Sequence, residues 1–196
     1  MPRARPCSGR SGTRWPISAA NRRWPTDVLT ARVLKILATA GVALFFTLVA
    51  FGNLTDYGSN FAFVRHVLAM DTTFRSPALM WRAIDVPWAA HLAYALIIAW
   101  QAATAIMCWI GALRMAMRWD APAAVFARAK SPALAGVGMG FLLYAFGFVA
   151  IGGEWFAMWQ SKEWNGQPPA HLFLTLAGIV LLFLNQRDEE LPYDLG

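Results

Sequence analysis

Residues 147–171 read GFVAIGGEWFAMWQSKEWNGQPPAH, and the fold turns on this stretch. One apolar segment leaves through Gly152-Gly153, and a short connection rich in Trp and charge follows. Pro168-Pro169 then opens a second apolar segment. Proline lacks a backbone donor and fixes φ, so it suits the first turn of a helix rather than its interior. Tryptophan favours the boundary between hydrocarbon and water. The stretch therefore reads as a hairpin between two membrane spans, with its tip at the water interface.

Composition extends that reading to the whole chain. Hydrophobic residues make up 58% and charged residues 14%, against about 25% charge in an ordinary soluble domain. The deficit is concentrated in four long segments, as in a polytopic membrane protein. The net charge of +6 does not imply a nucleic-acid partner. The basic residues crowd the first 35 positions and the connections between spans, which is a topology signal and not a phosphate-binding face. Cys7 and Cys108 are too far apart to pair, and Cys108 lies in an apolar run as a small buried hydrophobe.

Residues 1–28 are rich in Arg, Pro and Ser and have no apolar period. They read as a disordered basic tail or an over-extended start, with Val28 or Leu29 the true beginning. The membrane domain is expected over 29–190, followed by a tail at 191–196. Span one is placed at 31–54. Its uncharged part, 36 through 54, is 19 residues long, close to the roughly 20 that cross a bilayer core. Arg32 and Lys35 flank it as snorkelling cations. The connection 55–85 carries Phe61, Val64, Val67 and Leu68 at helical spacing, which predicts a short interfacial helix. Asp71 is a candidate cap, and Ser76-Pro77 predicts a second helix over 78–84. Span two is placed at 87–113, with Gln101 and Thr104 as polar residues that link helices. A basic loop occupies 114–130. Span three covers 132–156, with Gly136, Gly140 and Gly147 on one packing face. Span four covers 169–185. The fold class is thus all-α: four transmembrane helices in a bundle, with short interfacial helices in the first loop.

Counting Lys and Arg near the spans puts both termini and the 114–130 loop in the cytoplasm. Connections 55–85 and 157–168 then share the other side, where they would form a cap. His66, His91, His171, Asp56 and Glu154 map to that side and make up a candidate polar cluster. A His/His/Glu set suits a metal, and two His suit a haem. Against this, span ends are where polar groups cost least, and interfacial residues bonded to backbone or water are the simpler reading. Trp81, Trp88, Trp155, Trp159 and Trp164 form an aromatic belt, with a quinone or lipid slot between the rings as the sharper alternative. Arg65, Arg75 and Arg82 are expected to be solvated or paired with Asp56, Asp71 and Asp85. No span carries a mid-membrane charge, and no phosphate loop, dinucleotide fingerprint, GxSxG or HExxH occurs, so catalytic residues and metal ligands are assigned to none.

The stretches GNLTDYGSNFAFVRHVLAMDTTF (52–74), MWRAI (80–84), EWFAMWQSKEWNGQ (154–167) and LLFLNQ (181–186) resemble the predicted small integral membrane proteins of the domain of unknown function 2165 family. The resemblance covers about 29–190 and implies a small bacterial multi-span protein with no assigned activity. The expected role is a non-catalytic accessory or assembly component, in contact with the bilayer and with other membrane subunits or further copies of itself. A haem- or quinone-associated redox anchor and a small-molecule permeation protein are the alternatives. The cofactor is unknown.

Overall fold

The computed structural model describes residues 25–191. The expected basic tail up to position 24 and the residues beyond 191 lie outside the described part. Helix α1 (Pro25–Thr55) begins four residues ahead of the expected domain boundary, so Val28 is helical and buried, not part of a tail. Helix α2 (Tyr57–Ala69) lies in the first connection. Helices α3 (Pro87–Ala116), α4 (Ala123–Ala129), α5 (Ser131–Leu142) and α6 (Gln167–Asn185) follow, with a π-helical segment, Leu143–Trp155, continuing α5. No strand occurs among the described residues. Four helical stretches are long and apolar enough to cross a membrane: 26–55, 87–116, 123–155 and 167–185. The shortest, 19 residues, spans roughly 28 Å at about 1.5 Å per residue, close to the thickness of a hydrocarbon core.

Two sequence expectations change here. The 114–130 connection is not all loop, because α4 buries Ala123, Phe126 and Ala129 on one side. The helix expected over 78–84 shrinks to a single 3₁₀ turn, Met80–Arg82. The chain leaves the helical region at Ala83 (φ −62°, ψ 135°), and Pro87 keeps it extended up to the start of α3. The residue before a proline is pushed out of the helical region, and Val86 is extended at φ −124°, ψ 122°.

Spans pair in sequence order: α1 on α3, α3 on α5, and α5 with its π-helical continuation on α6, while α1 and α6 touch little. Helix α3 is central, with Cys108, Ala112 and Met115 buried in a core that also holds Ala43, Phe126, Ala133 and Val137. Small residues set the spacing. A Cβ on Gly136 would sit 2.7 Å from the Cys108 backbone nitrogen, and one on Gly140 would sit 2.7 Å from the Phe46 ring. Gly111, which the sequence did not single out, lies directly on the Ala133 backbone. The third predicted packing glycine, Gly147, is not on this face. It lies in the π-helical segment, whose i→i+5 bonding widens each turn, so the period that aligns Gly136 with Gly140 is lost. A Cβ there would meet only Leu143 of its own helix.

One end of the bundle is closed by buried charge. Arg32, Lys35 and Lys130 are 1%, 3% and 5% exposed, so Arg32 and Lys35 do not snorkel to water as expected. Lys35 donates to an Asp188 carboxylate oxygen at 2.7 Å, and Lys130 pairs with the other oxygen. Both lysines also donate to the Gln186 carbonyl at 3.0 Å. The Arg32 guanidinium donates to the carbonyls of Trp119, Ala121 and Glu189 and lies 4.8 Å from the Phe126 ring centroid. The segment after α6, expected to be no more than an acidic tail, is folded in as the counter-charge.

Candidate functional site

At the opposite end the first and third connections pack on each other as a cap. Thr72 donates to Ser161 at 2.8 Å, and the Phe74 backbone N–H donates to the Gln160 side chain at 3.0 Å. The Ile84 N–H donates to the Leu68 carbonyl at 2.8 Å. Met70, Phe156 and Ala157 form a small buried core beneath. Met70, Arg75 and Ala157 are in the left-handed region at φ 51–53°, a conformation that costs a side-chain-bearing residue roughly 1–2 kcal/mol. All three lie in this cap, where packing such as that of Met70 and Ala157 holds the backbone against its preference.

The predicted polar cluster does not converge. His66 bonds Asp71 at 2.7 Å and stacks on Trp164 with centroids 4.7 Å apart, so Asp71 serves as a partner of His66 rather than as a cap. His91 accepts or donates at the Tyr57 hydroxyl, 2.8 Å away, and stacks on Phe61 at 4.1 Å. His171 bonds the Gln167 carbonyl one turn back. Glu154 accepts from Gln167 at 3.4 Å, and Asp56 accepts from Ser59. Each group is satisfied locally, and among the described residues no three His, Cys, Asp or Glu lie together in a metal-ligating group. The expected Arg–Asp pairs are replaced in part by aromatic contacts: Arg82 lies 4.7 Å from the Trp155 ring centroid and donates to its carbonyl. Trp81, Trp88, Trp155 and Trp159 are exposed and Trp164 is half-buried.

What the fold brings together lies below the cap. Helix α2 turns across α3, so that Tyr57 and Phe61 meet His91 and Tyr94, and Val64 meets Tyr94 and Ile98. A half-open cavity of about 320 Å³ remains between α2 and the spans. All four spans contribute to it: Phe45, Val49 and Asn53 from α1, Tyr94, Ile97 and Gln101 from α3, Tyr144 and Phe148 from the π-helical segment, and Pro169, Ala170 and Phe173 from α6. Its polar wall is a chain of amides. Asn60 donates to Asn53 at 2.8 Å, Asn53 donates to Gln101 at 2.7 Å, and the Tyr94 hydroxyl donates to the Asn53 carbonyl at 3.3 Å. Gln101 is 4% exposed and Tyr144 7%. The Gln101 Nε2 group and the Tyr144 hydroxyl have no protein acceptor among the described residues. Both face the open cavity and can donate to a molecule that enters it. No lining residue is charged.

Gln101 thus links helices as expected, but Thr104 does not: its hydroxyl bonds back to Trp100 on its own helix. In the sequence Asn53 stands at the end of span one, and Tyr94 and Tyr144 lie inside apolar runs without a mark of their own. The available signal was one amide near the outer part of each of two adjacent spans, which hydrocarbon tolerates only if the two find each other. Gly147 lines a neighbouring apolar cavity of about 230 Å³ that shares Phe63, Val64, Ile97 and Phe148 with the first.

No curated protein and no solved structure matches the chain. The family model described as predicted small integral membrane protein, domain of unknown function 2165, matches residues 31–187. That covers α1 from its second turn through α6 and the first residues of the charge clasp, so the chain, an integral membrane protein of four candidate spans, belongs to this family.

Proposed function

We propose that this protein is a non-catalytic, membrane-embedded binding protein for an uncharged, lipid-soluble molecule with hydrogen-bond acceptors on its head. The observation that carries the reading is the cavity of about 320 Å³ walled by aromatic rings and floored by the Asn60–Asn53–Gln101 amide chain. An apolar cavity of about 150 Å³ already takes up benzene in a small protein, so a ring-sized head fits here. The chemistry of the wall favours binding over reaction. Its polar groups are amides and phenols, none of which is a strong base, acid or nucleophile near neutral pH. The test is organic extraction of protein purified in mild detergent. A neutral lipophile recovered in near-stoichiometric amount from wild type, and depleted in Tyr144→Phe, supports the reading. Equal recovery from both overturns the assignment of the site.

The orientation proposed is both termini in the cytoplasm of an inner membrane. It is supported by Arg32, Lys35, Arg114, Arg118, Arg128 and Lys130 toward the clasp end, against Arg65, Arg75, Arg82 and Lys162 in the two cap connections. A reporter enzyme fused at the C-terminus that is active only outside the cytoplasm should be silent, and full activity would reverse the topology.

A second reading, an accessory or assembly subunit, is favoured by the cap. Phe74 and Trp81 are 72% and 69% exposed on backbone held by the Thr72–Ser161 and Phe74–Gln160 bonds. Such a rigid aromatic shelf suits a partner subunit as well as a lipid boundary. Migration as a larger complex after mild solubilisation, lost in Phe74→Ala/Trp81→Ala, would support it; migration as a monomer in both would remove it.

A further inference from the structure

We infer that the bound molecule is a single-chain neutral lipid lying lengthwise, with its head in the amide cavity and its apolar chain in the groove between α1 and α6. This rests on the binding reading above and adds the class of the ligand and its path. The groove is a second space of about 310 Å³, lined from Ala38 to Phe46 on α1 and from Phe173 to Val180 on α6, and it shares Phe45, Tyr144 and Phe173 with the amide cavity. The three shared rings are in contact, Phe45–Phe173 at 4.6 Å and Tyr144–Phe173 at 5.2 Å between centroids. A molecule occupying both spaces therefore lies across these rings. On α1 the stripe Ala38, Gly41, Val42, Phe45, Val49 and Asn53 runs along one helical face. Its fifteen residue steps cover roughly 22 Å at about 1.5 Å each, or about two-thirds of a hydrocarbon core.

Three observations fix the chemistry. The lower groove is almost wholly apolar, which suits a hydrocarbon or isoprenoid chain. The upper cavity presents two donors to its open space, Gln101 Nε2 and the Tyr144 hydroxyl, and no charge. They fit an uncharged head with carbonyl or hydroxyl oxygens and disfavour a phosphate or ammonium, which would be buried without a counter-charge. The seam between α1 and α6 is far less packed than those joining α1 to α3, α3 to α5 and α5 to α6, so the chain reaches the groove sideways from the bilayer. An isoprenoid quinone and a monoacylglycerol share this chemistry.

The test measures the Kd of the purified full chain, by quenching of its tryptophan fluorescence, for a long-tailed isoprenoid benzoquinone and for the tail-less ring. Monoacylglycerol is the competitor. The long-tailed quinone should bind at least tenfold tighter than the ring. Gly41→Phe, at a position where a Cβ meets nothing within 4 Å, should erase that difference and leave the ring's Kd unchanged. Tyr144→Phe should weaken both by roughly fivefold, the worth of one hydrogen bond. Equal affinity for tailed and tail-less rings, or no effect of Gly41→Phe, overturns the lengthwise placement while cavity binding stands. No binding of any probe, or an unchanged Kd in Tyr144→Phe, overturns the binding reading itself. Displacement by monoacylglycerol assigns an acyl-chain source and its failure assigns the quinone; each supports the proposal.

Discussion

Asp188 is the residue whose loss the fold should feel most. Its side chain is 3% exposed and bridges Lys35 and Lys130, themselves buried. Asp188→Asn keeps the shape, removes the charge and turns an amide N–H₂ toward one of two ammonium groups. Breaking a buried ion pair by altering one partner costs about 3–5 kcal/mol, because the remaining charge stays desolvated. Here two ammoniums are stranded, with the carbonyls of Leu184 and Gln186 as their remaining acceptors. For a chain of this length about 1 kcal/mol corresponds to roughly 2–4 °C, so the expected fall in Tm is on the order of 6–20 °C. The measurement is thermal unfolding in mild detergent, followed by the fluorescence of the ten tryptophans. Arg187→Gln, exposed in the same segment, should change stability by less than about 0.5 kcal/mol. Replacing the triad with apolar residues, Lys35→Met/Lys130→Met/Asp188→Leu, should recover most of the loss, because buried ion pairs are often matched by apolar packing. Recovery stays incomplete because the Leu184 and Gln186 carbonyls lose their donors. An Asp188→Asn protein that unfolds within 2 °C of wild type would refute the reasoning.

Three further outcomes follow from the packing. Gly136→Ala should destabilise by about 1–3 kcal/mol in the same assay, because its Cβ meets the Cys108 backbone; Gly138→Ala, with open space around it, should stabilise by up to about 1 kcal/mol. Ser161→Ala removes the hydroxyl that accepts from Thr72 and from the Trp164 N–H. It should cost about 1–3 kcal/mol and raise proteolysis at the cap, measured by limited digestion of proteoliposomes. His66→Ala should cost less than about 1 kcal/mol despite its bond to Asp71, since both side chains are more than a third exposed or nearly so; a larger loss by thermal unfolding would mean that the Trp164 stack, not the ion pair, holds the hairpin.

The spans were legible because hydrocarbon imposes one rule on every residue it touches. Runs such as 36–54 announce themselves by composition, and Pro87 and Pro168-Pro169 mark where helices begin. The cap was legible from the span count, because the first and third connections of a four-span chain fall on the same side and can meet. What failed to show was everything that depends on two distant segments meeting. Lys35 and Asp188 are 153 positions apart, and each alone reads as an ordinary flanking charge. Asn53 beside Gly52, Thr55 and Asp56 looks like the end of a span, and only its bond to Gln101 makes it a buried amide. The π-helical segment was invisible for another reason. LYAFGFVAIGGEW is apolar throughout, so a change of helical period leaves no mark in the hydropathy pattern.

That change of period links the fold to the site. A straight α-helical continuation of α5 would carry the Gly136–Gly140 face onward and close the cap half of the bundle as tightly as the clasp half. The wider π turn instead sends Tyr144 and Phe148 into the space between α1, α3 and α6, and exposes Gly147 and Gly152 to the neighbouring cavity. π-helical turns are rare and concentrate at functional sites because they sacrifice packing to reposition side chains. Here one end of the bundle is locked by the Lys35–Asp188–Lys130 clasp and the small-residue seam, while the other is held apart. The clasp lets the open end exist. With α1 and α6 barely touching along their length, the buried charges at their clasp ends keep the two helices in register on either side of the groove. Loss of Asp188 should therefore weaken ligand binding as well as stability, although no atom of the clasp lines the amide cavity. Tyr144→Phe should weaken binding without lowering Tm. If the two variants behaved alike, the division of labour between the two ends would be wrong.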